Sequence, residues 1–279
     1  VIVRAWEGIA KWAIRSIIEA KLLTEITQSI YPDLRDKVVL ITGGGSGIGE
    51  ALVTAFLEQA SRVVFLDIDQ DTSQGLVDRL KARDFSPMFI LCDVTDIQLL
   101  KSAITGVEQA LGPVQVLINN AASDERHEVK DVDLDYWEER LRVNLSHQFF
   151  AAQAVTPGMA KAGGGSIINM GSISWHMGME FMPGYTTAKA AIEGLTQSLA
   201  RTYGKDHIRV NCIVPGQVAT PRQVKDVLTP EYKRYLMERQ CLPDVIQPMD
   251  VAQLALFLGS DVSRMCTRRN FFIDAGIGA

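Results

Sequence analysis

A glycine-rich turn between an apolar run and a helix-like segment constrains this chain more than any other feature. The apolar run at 38–41 leads into residues 42–49, which read T-G-G-G-S-G-I-G, and apolar residues then recur at helical spacing. Glycines let a backbone approach a pyrophosphate, and the first turn of a helix offers unpaired amides at its positive end. The pattern favours a strand, a nucleotide-binding loop and a helix, although a glycine-rich loop alone also fits a plain structural turn.

A second apolar strand supports the nucleotide interpretation. Residues 62–67 read R-V-V-F-L-D, so this strand ends in Asp67, which lies 18 residues after Gly49. An acid at this position suits the ribose hydroxyls of NAD. Strand, loop, helix, strand and acid together predict a dinucleotide-binding unit.

The composition is that of a globular protein with a sizeable core. The chain has 279 residues, of which 47% are hydrophobic, and its net charge is −5. It contains no block rich in Lys and Arg, so nucleic acid is not expected as a partner. Its four cysteines form no C-x-x-C pair and its four histidines are scattered, so neither a metal site nor a disulfide framework is expected. Reduced thiols fit a cytoplasmic protein.

Residues 1–29 form an extension with a pattern of their own. Trp6, Ile9, Ala13 and Ile17 recur at helical spacing with charged residues between them, which predicts one amphipathic helix. A charge in nearly every turn argues against an integral membrane segment, and the cleavage pattern of a signal peptide is missing. Packing on the protein's own surface or on a partner subunit is favoured over docking on a membrane surface.

From residue 30 onward, strands and long helices alternate. Strands are predicted at 38–42, 62–67, 87–91, 114–119, 165–170, 208–213 and 270–273. Helices are predicted at 47–59, 71–82, 96–110, 133–161, 184–203 and 248–258. Such alternation predicts an α/β fold in which residues 30–279 form a single doubly wound parallel sheet of the Rossmann type, with helices on both faces.

One segment, at about 216–247, interrupts this alternation and contains a helix-like stretch at 231–240. In open α/β sheets, ligands bind in the crevice outside the carboxyl ends of the strands. Because the segment follows the carboxyl end of a predicted strand, we expect it to be a substrate lid.

Polar residues follow several predicted strands at this same edge. Asp93 either caps the next helix, for which Asp96 competes, or hydrogen-bonds an adenine. Asn119 and Asn120 close the next strand and form either an Asx turn or a passage for a cofactor. Asn144, in a predicted helix, is either a solvent-facing residue or a buried one that opens the helix and holds a water.

Ser172, Tyr185 and Lys189 form the predicted reactive set. Tyr185 and Lys189 are four residues apart in a helical segment and share one face, while Ser172 follows a strand. A phenol with a pKa near 10 is a poor base. A lysine cation about 4 Å away, at an effective dielectric constant of 20, contributes roughly 4 kcal/mol or about three pKa units. We therefore expect Lys189 to bring the pKa of Tyr185 close to neutrality, where a general base works best.

These motifs together resemble the short-chain dehydrogenase/reductase family. The matching segments follow the family's order and are 42–49, 119–122, Asn144, Ser172, 185–189 and 215–216. The likeness covers about residues 31–279. Ala122 stands where a glycine is usual, and the extension at 1–29 lies outside the family pattern.

The resemblance implies a role for each matching residue. Tyr185 would be the acid/base, Ser172 would hydrogen-bond the substrate oxygen, and Asn144 would fix the water of a proton relay that includes Lys189. Lys189 would also lower the pKa of Tyr185 and hold the nicotinamide ribose, while Thr220 would hydrogen-bond the carboxamide side of the nicotinamide. The residues lining NAD would be Gly43, Ser46, Gly47, Ile48, Gly49, Asp67, Asp93, Val94, Asn120, Tyr185, Lys189, Pro215, Val218 and Thr220. The family also implies a homotetramer.

A narrower likeness is to the aldose 1-dehydrogenases that oxidise xylose, galactose or arabinose. It rests on segments 30–34, 123–127, 171–176, 214–218 and 239–242. It implies oxidation of the anomeric hydroxyl of an aldopyranose to the aldonolactone, with a small-molecule sugar as the partner. The implied substrate-binding residues are Asp124, Arg126, His127, Ser172, Trp175, His176, Tyr185 and Gln217.

Two other functions stay open at this point. Met177, Met179, Phe181 and Met182 offer an apolar surface, which fits a reductase of a 3-oxoacyl or steroid ketone. The second open function is that of a binding protein, a family member without catalytic activity. The complete reactive set argues against it. For His127 and His176, a capping or packing role is the alternative to substrate binding.

Overall fold

Seven parallel strands form the centre of the described structure, which is a computed structural model covering residues 29–278. The strands are β1 (Val38–Thr42), β2 (Arg62–Asp67), β3 (Met88–Leu91), β4 (Val116–Asn119), β5 (Gly165–Met170), β6 (Ile208–Pro215) and β7 (Asn270–Ile273). Their order in the sheet is β3-β2-β1-β4-β5-β6-β7, and every neighbouring pair is parallel. The predicted fold class is confirmed. All but the last residue of the predicted helical extension at 1–29 lie outside the described residues.

Helices connect the strands and cover both faces of the sheet. They are α1 (Gly47–Glu58), α2 (Gln70–Lys81), α3 (Ile97–Leu111), α4 (Leu134–Leu141), α5 (His147–Lys161), α6 (Pro183–Tyr203), α7 (Pro221–Asp226), α8 (Pro230–Arg239) and α9 (Pro248–Gly259). Within residues 29–278, no helix combines the length and the apolar content needed to cross a membrane.

The side chains of β1 show why its sequence is an uninterrupted apolar run. Val39 and Ile41 belong to one hydrophobic cluster, whereas Val38 and Leu40 belong to another. All four are fully buried. Successive side chains of a strand point to opposite faces, so a strand covered by helices on both sides needs apolar residues at every position. The two clusters are therefore the two cores on either side of the sheet.

The prediction of one long helix at 133–161 is wrong in one respect, because the observed helix is interrupted. A π-helical turn, Arg142–Ser146, separates α4 from α5. Asn144 lies in this turn and is fully buried, so the solvent-facing interpretation of this residue is wrong. Its side-chain Nδ2 donates to the carbonyl of Arg140 at 3.0 Å. Such a bond competes with the helix's own hydrogen bonds, which accounts for the local opening.

The segment at 216–247 contains two short helices and is closed at its base. Val218 and Ile246 form an isolated parallel bridge that joins its ends. The helix-like pattern at 231–240 is confirmed as α8. Both α7 and α8 begin with a Thr-Pro pair, in which the threonine hydroxyl accepts a backbone amide of the first turn. Threonine caps and proline at the first helical position are the expected start signals of a helix.

Gly49, in the first turn of α1, gives a direct test of how tightly the glycine-rich loop is packed. A Cβ at Gly49 would overlap the carbonyl oxygen of Gly43. We expect Gly49→Ala to lower the free energy of unfolding by about 1–3 kcal/mol, as overpacking does. Gly106 in α3 is the control, because nothing lies within 4 Å of a Cβ there. Gly106→Ala should stabilise the protein by up to about 1 kcal/mol. Denaturant unfolding measures both, and equal stability of the two variants would contradict the packing described.

Candidate active site

A cleft at the carboxyl ends of the strands brings most of the predicted residues together. Its volume is about 670 Å³, which lies in the usual range for small-molecule sites. The predicted residues that line it are Gly43, Ser46, Gly47, Ile48, Gly49, Asp67, Asp93, Val94, Asn120, Asp124, Arg126, Ser172, Tyr185, Lys189, Pro215, Gln217, Val218 and Thr220. Four predicted residues lie elsewhere, namely His127, Asn144, Trp175 and His176.

The glycine-rich loop forms one wall of the cleft. Gly43 has a φ of +66°, and a Cβ on it would lie 2.8 Å from the Cα of Ala121. The Ser46 side chain makes no capping bond to α1, so the amides of the first turn keep their donors for another acceptor. Asn120 ties β4 to the loop, because its Nδ2 donates to the Gly43 carbonyl at 2.7 Å. An anionic group such as a pyrophosphate fits these donors and this close approach of the backbone.

Asp67 ends β2 beside this wall. Its carboxylate accepts the Gly45 amide at 2.8 Å and the Asp69 amide at 3.0 Å. Among the described residues that line the cleft, the cations are Arg126, Lys189 and Arg222, and all three lie near or act on Tyr185. The Asp67 end of the cleft is therefore acidic.

Asp93 does not cap the next helix, so that interpretation is wrong. Its carboxylate accepts the amide and the hydroxyl of Thr95, both at 2.8 Å. Asp96 caps α3 instead, accepting the amides of Gln98 and Leu99. Asp93 keeps its place in the lining of the cleft.

Ser172, Tyr185 and Lys189 meet at the centre of the cleft. The Nζ of Lys189 lies 5.3 Å from the ring centroid of Tyr185, which precedes it by one turn of α6. Lys189 is 1% exposed, and its Nζ donates to the carbonyl of Met170 at 2.7 Å. Ser172 follows β5 and acts on Tyr185 through a hydrogen bond. Helical spacing and a strand end thus place a phenol, an ammonium and a hydroxyl together.

Electrostatics at Tyr185 differ from the expectation drawn from the sequence. Burial raises the pKa of Tyr185 to about 12, while Ser172 opposes this rise. Asp124 raises the pKa further, and Arg222 and Arg126 lower it. Burial also lowers the pKa of Lys189 to about 8. The expectation that Lys189 brings the pKa of Tyr185 close to 7 is therefore wrong for this structure. Loss of solvation raises this pKa by more than the surrounding groups lower it.

Asn144 lies behind the cleft and holds the loop that follows β4. Its Oδ1 accepts the amide of Ser123 at 2.9 Å, and its Nδ2 donates to the Ser123 carbonyl at 3.0 Å as well as to Arg140. Every polar atom of this side chain is thus used by the backbone. A role in a proton relay stays a prediction.

His127 packs at the end of the same loop. Its Nδ1 pairs with the hydroxyl of Tyr136 at 2.9 Å, and the two rings meet edge to face. Its backbone amide donates to the carbonyl of Phe181 at 2.8 Å. These contacts fit the packing role that the sequence left open.

Trp175 and His176 turn away from the cleft toward a buried acid. Trp175 Nε1 and His176 Nε2 both lie 2.8 Å from Oε1 of Glu193, and Asn270 donates to the other oxygen. The two aromatic rings lie 3.8 Å apart. The predicted contact of Trp175 and His176 with substrate finds no support in this geometry. Glu193 carries no sequence signal, since a glutamate in a helix is ordinarily solvent-exposed.

Arg222 and Gln223 line the cleft, and sequence reasoning missed both of them. Both side chains donate to Asp124, with Gln223 Nε2 at 3.0 Å from its Oδ2. Gln217 in turn donates to Gln223 at 2.9 Å. This cluster joins α7 to the loop after β4. Arg222 and Gln223 lie almost 100 residues after Asp124, so no sequence periodicity predicts their contact. The only local signal was the Thr-Pro pair that predicts the start of α7.

Known proteins resemble this chain over most of its length. The family model described as Enoyl-(Acyl carrier protein) reductase matches residues 43–278. A D-xylose 1-dehydrogenase from Caulobacter vibrioides (strain NA1000 / CB15N) is 47% identical over 251 residues, which are 90% of this chain and 99% of that protein. A probable galactose dehydrogenase from Rhizobium meliloti (strain 1021) is 45% identical over 253 residues, again 90% of this chain and 99% of that protein.

A solved structure agrees with these relatives. A short-chain type dehydrogenase/reductase from Mycobacterium ulcerans matches with a TM-score of 0.82 and 25% identity, over 87% of this chain and 90% of that one. The chain belongs to the short-chain dehydrogenase/reductase family. This short-chain dehydrogenase/reductase is therefore an oxidoreductase, and the dehydrogenases of the family use nicotinamide cofactors. The resemblance drawn from the sequence motifs is confirmed.

A fully buried histidine, His147, lies behind the reactive set of this short-chain dehydrogenase/reductase. Burial lowers its pKa to about 3, and the positive charge of Lys189 adds to the effect. The ring is therefore neutral in the folded protein above about pH 3. An unfolded chain would bind a proton on the same ring below about pH 6.5.

This difference makes folding stability depend on pH in a defined direction. Between about pH 6.5 and pH 3, the unfolded chain holds a proton on His147 that the folded chain lacks, so stability falls as the pH falls. The full slope is about 1.4 kcal/mol per pH unit. Urea unfolding at several pH values between 7.5 and 5 should show the wild type losing stability faster than His147→Asn. Parallel stability curves for the two proteins would contradict the neutral, buried ring.

Proposed function

We propose that this enzyme oxidises the anomeric hydroxyl of an aldopyranose with NAD and releases the aldonolactone. The observation that carries the proposal is the cluster of hydrogen-bonding side chains beside Tyr185, which includes Asp124, Arg126, Gln217 and Arg222. A sugar presents several hydroxyls, and a site that binds it needs several donors and acceptors. The identity to two sugar dehydrogenases over nearly their whole length supports the same substrate class.

Tyr185 is the proposed general base, since it is the phenol at the centre of the cleft. As a phenolate it removes the proton of the anomeric hydroxyl, while Ser172 holds the oxygen of that hydroxyl. Lys189 supplies the buried positive charge beside the phenol. A bound nicotinamide would supply the acceptor for the hydride that leaves the anomeric carbon. No covalent intermediate between enzyme and sugar is needed.

The residues present fit a nicotinamide dinucleotide. The open amides of α1 and the close backbone at Gly43 suit its pyrophosphate, and Asp67 suits its adenosine ribose. The proposed cofactor residues are Gly43, Ser46, Gly47, Ile48, Gly49, Asp67, Asp93, Val94, Asn120, Tyr185, Lys189, Pro215, Val218 and Thr220. NAD is proposed over NADP because an acid without a neighbouring cation repels a 2′-phosphate.

The segment at 216–247 is proposed to act as the substrate lid. The hydrogen bonds from Arg222 and Gln223 to Asp124 would hold this segment over the cleft. When a sugar binds or leaves, these hydrogen bonds would be exchanged with hydrogen bonds to its hydroxyls, and the segment would move. The extension at 1–29 is proposed to be dispensable for chemistry. A homotetramer in the cytoplasm is the proposed state, on the family resemblance alone.

A reductase of a 3-oxoacyl or steroid ketone is the second candidate. Met177, Met179 and Met182 line the same cleft and offer an apolar surface. The matching family model is described as Enoyl-(Acyl carrier protein) reductase, which likewise names an acyl substrate. The polar cluster beside Tyr185 argues for the sugar, because its carboxylate, guanidinium and amide groups can exchange hydrogen bonds with sugar hydroxyls but not with an apolar ligand.

A substrate screen separates the two candidates. We expect xylose, galactose or arabinose to reduce NAD, read as NADH absorbance, and the corresponding methyl glycosides to be inert because their anomeric oxygen carries no proton. Arg126→Ala should raise the KM for the sugar and leave the KM for NAD unchanged. Oxidation of a methyl glycoside as fast as the free sugar would refute the proposal, as would a hydrophobic ketone reduced far better than any aldose is oxidised.

Cofactor choice is tested by the ratio of kcat/KM for NAD to that for NADP. Hydrogen bonds to a charged acceptor contribute about 1.5–3 kcal/mol each, so we expect a preference for NAD of at least about a hundredfold. Asp67→Ala should remove most of it. Asp69→Asn is the matched control, since Asp69 lines the same end of the cleft but caps α2. Equal efficiency of the wild type with both cofactors would contradict the role of Asp67.

The role of Tyr185 is tested by removing its hydroxyl. Loss of a general base costs about a hundredfold or more, so Tyr185→Phe should lose nearly all turnover while NADH binding, followed by fluorescence, stays close to normal. Tyr232→Phe is the control, because Tyr232 also lines the cleft. Wild-type oxidation should rise with pH, because burial raises the pKa of the base. A Tyr185→Phe enzyme that keeps more than about a tenth of the rate would rule out this mechanism.

A further inference from the structure

A second cavity opens beside the catalytic end of the cleft. Its volume is about 590 Å³, and it shares part of its lining with the cleft, namely Arg126, Met177, Met179 and Ile277. Met177 and Met179 belong to the loop that begins at the end of β5 and carries Ser172. The residues proposed above for the cofactor line the cleft and not this cavity. The second cavity therefore extends the substrate side of the site.

One face of α8 joins the cleft to this cavity. Tyr232, Tyr235 and Arg239 follow one another at spacings of three and four residues, so their side chains share one face of the helix. Tyr232 lines the cleft, whereas Tyr235 and Arg239 line the second cavity. The two tyrosine rings are stacked with their centroids 5.8 Å apart, and the Arg239 guanidinium lies 5.2 Å from the centroid of Tyr235. A row of flat groups thus runs from the cleft into the second cavity.

The loop after β5 adds another aromatic ring to the lining of this cavity. Phe181 has a φ of +60°, which is unusual for a bulky residue, and its carbonyl is held by the amide of His127 at 2.8 Å. Its side chain is 50% exposed, and that of Tyr235 is 42% exposed. Backbone strain of this kind concentrates at ligand sites. Two large aromatic side chains are therefore held in the cavity with their rings partly open to solvent.

The charged side chains of the cavity include both donors and acceptors. Arg126 and Arg239 offer guanidinium N–H groups, and Glu180 offers a carboxylate. Within residues 29–278, neither arginine forms an ion pair, in contrast to Arg222, which pairs with Asp124 in the cleft. Sugar hydroxyls both donate and accept hydrogen bonds, and the C–H faces of a sugar ring pack on aromatic rings. Exposed aromatic rings between free donors and an acceptor therefore fit a sugar ring.

We propose that the second cavity binds a second sugar ring, so that the enzyme oxidises disaccharides whose reducing-end ring occupies the cleft. The proposal rests on the proposed function, which places the anomeric carbon of that ring at Tyr185. In a pyranose, carbon 4 lies across the ring from carbon 1, so a ring attached through oxygen 4 points away from the reacting carbon. The step is the one proposed for a free aldose. The anomeric hydroxyl loses its proton, the anomeric carbon loses a hydride to NAD, and the glycosidic bond stays intact.

Steady-state kinetics with β-1,4-linked disaccharides and their free aldoses test the proposal. The pairs are xylobiose with xylose and galactobiose with galactose. We expect the KM for the disaccharide to be at least about threefold lower than that for the free aldose, with kcat within about twofold because the same carbon reacts. If the aldose is oxidised but the disaccharide is inert or has a higher KM, the second-ring site is wrong and the proposed function stands.

Substitutions in α8 test where the second ring binds. Tyr235→Ala should raise the KM for the disaccharide about tenfold, while the KM for the free aldose and for NAD stays within about twofold, because Tyr235 does not line the cleft. Tyr235→Phe, which keeps the ring, should retain the lower KM for the disaccharide. Arg239→Ala repeats the test at an exposed residue, and Arg234→Ala is its control, since Arg234 is exposed on the same helix and lines neither space.

Two outcomes with these variants would contradict the location of the site. One is an unchanged KM for the disaccharide in both Tyr235→Ala and Arg239→Ala. The other is an equal rise in KM for the disaccharide and for the free aldose. A 3-oxoacyl thioester whose KM rises in Tyr235→Ala, while both sugars are unaffected, would assign the cavity to an acyl chain and overturn the proposal.

Calorimetric titration of each sugar into the enzyme–NADH complex tests the cavity without turnover. We expect the disaccharide to bind at least about threefold more tightly than the aldose, and Tyr235→Ala to lose this difference. If no aldose is oxidised but the difference is observed, the proposed function is refuted and the second-ring site stands. If the disaccharide binds no more tightly than the aldose, the second-ring site is refuted whatever the enzyme oxidises.

Discussion

The buried ammonium of Lys189 is the interaction on which the rest of the site depends. A charge so far from solvent is costly unless other groups stabilise it, and the Met170 carbonyl at 2.7 Å supplies part of that stabilisation. Tyr185 lies one turn earlier on the same helix face, and His147 lies behind. Burial shifts the pKa of all three groups toward their neutral forms. The site is therefore a low-dielectric pocket in which small movements of charge have large effects.

Charged side chains that line the cleft have opposite effects on the pKa of Tyr185. Asp124 raises the pKa of Tyr185, whereas Arg126 and Arg222 lower it. The same Asp124 accepts hydrogen bonds from α7, which belongs to the segment proposed as a lid. A movement of α7 would therefore change the electrostatic environment of the base as well as access to it. One carboxylate, that of Asp124, thus links the proposed lid to the proposed base.

The sequence predicts most of the fold and the centre of the site for local reasons. A strand buried on both faces needs the uninterrupted apolar run of β1, and a four-residue spacing on a helix places Tyr185 and Lys189 together. Helical periodicity continues on both sides of the π-helical turn, so the sequence could not decide whether Asn144 faces solvent or opens the helix. The contacts of Trp175 and His176 with Glu193 join distant segments, so their strand-end position alone could not predict them. The high pKa of Tyr185 depends on burial, which only the assembled structure supplies.

The central claim is that the hydride comes from the anomeric carbon of a sugar. An aldose carrying deuterium at carbon 1 tests it, with mass spectrometry of the reduced cofactor after a single turnover. Each reduced cofactor should gain one deuterium, and the hydride-transfer step should show a primary isotope effect. Reduced cofactor without deuterium, formed at the same rate from labelled and unlabelled sugar, would contradict it.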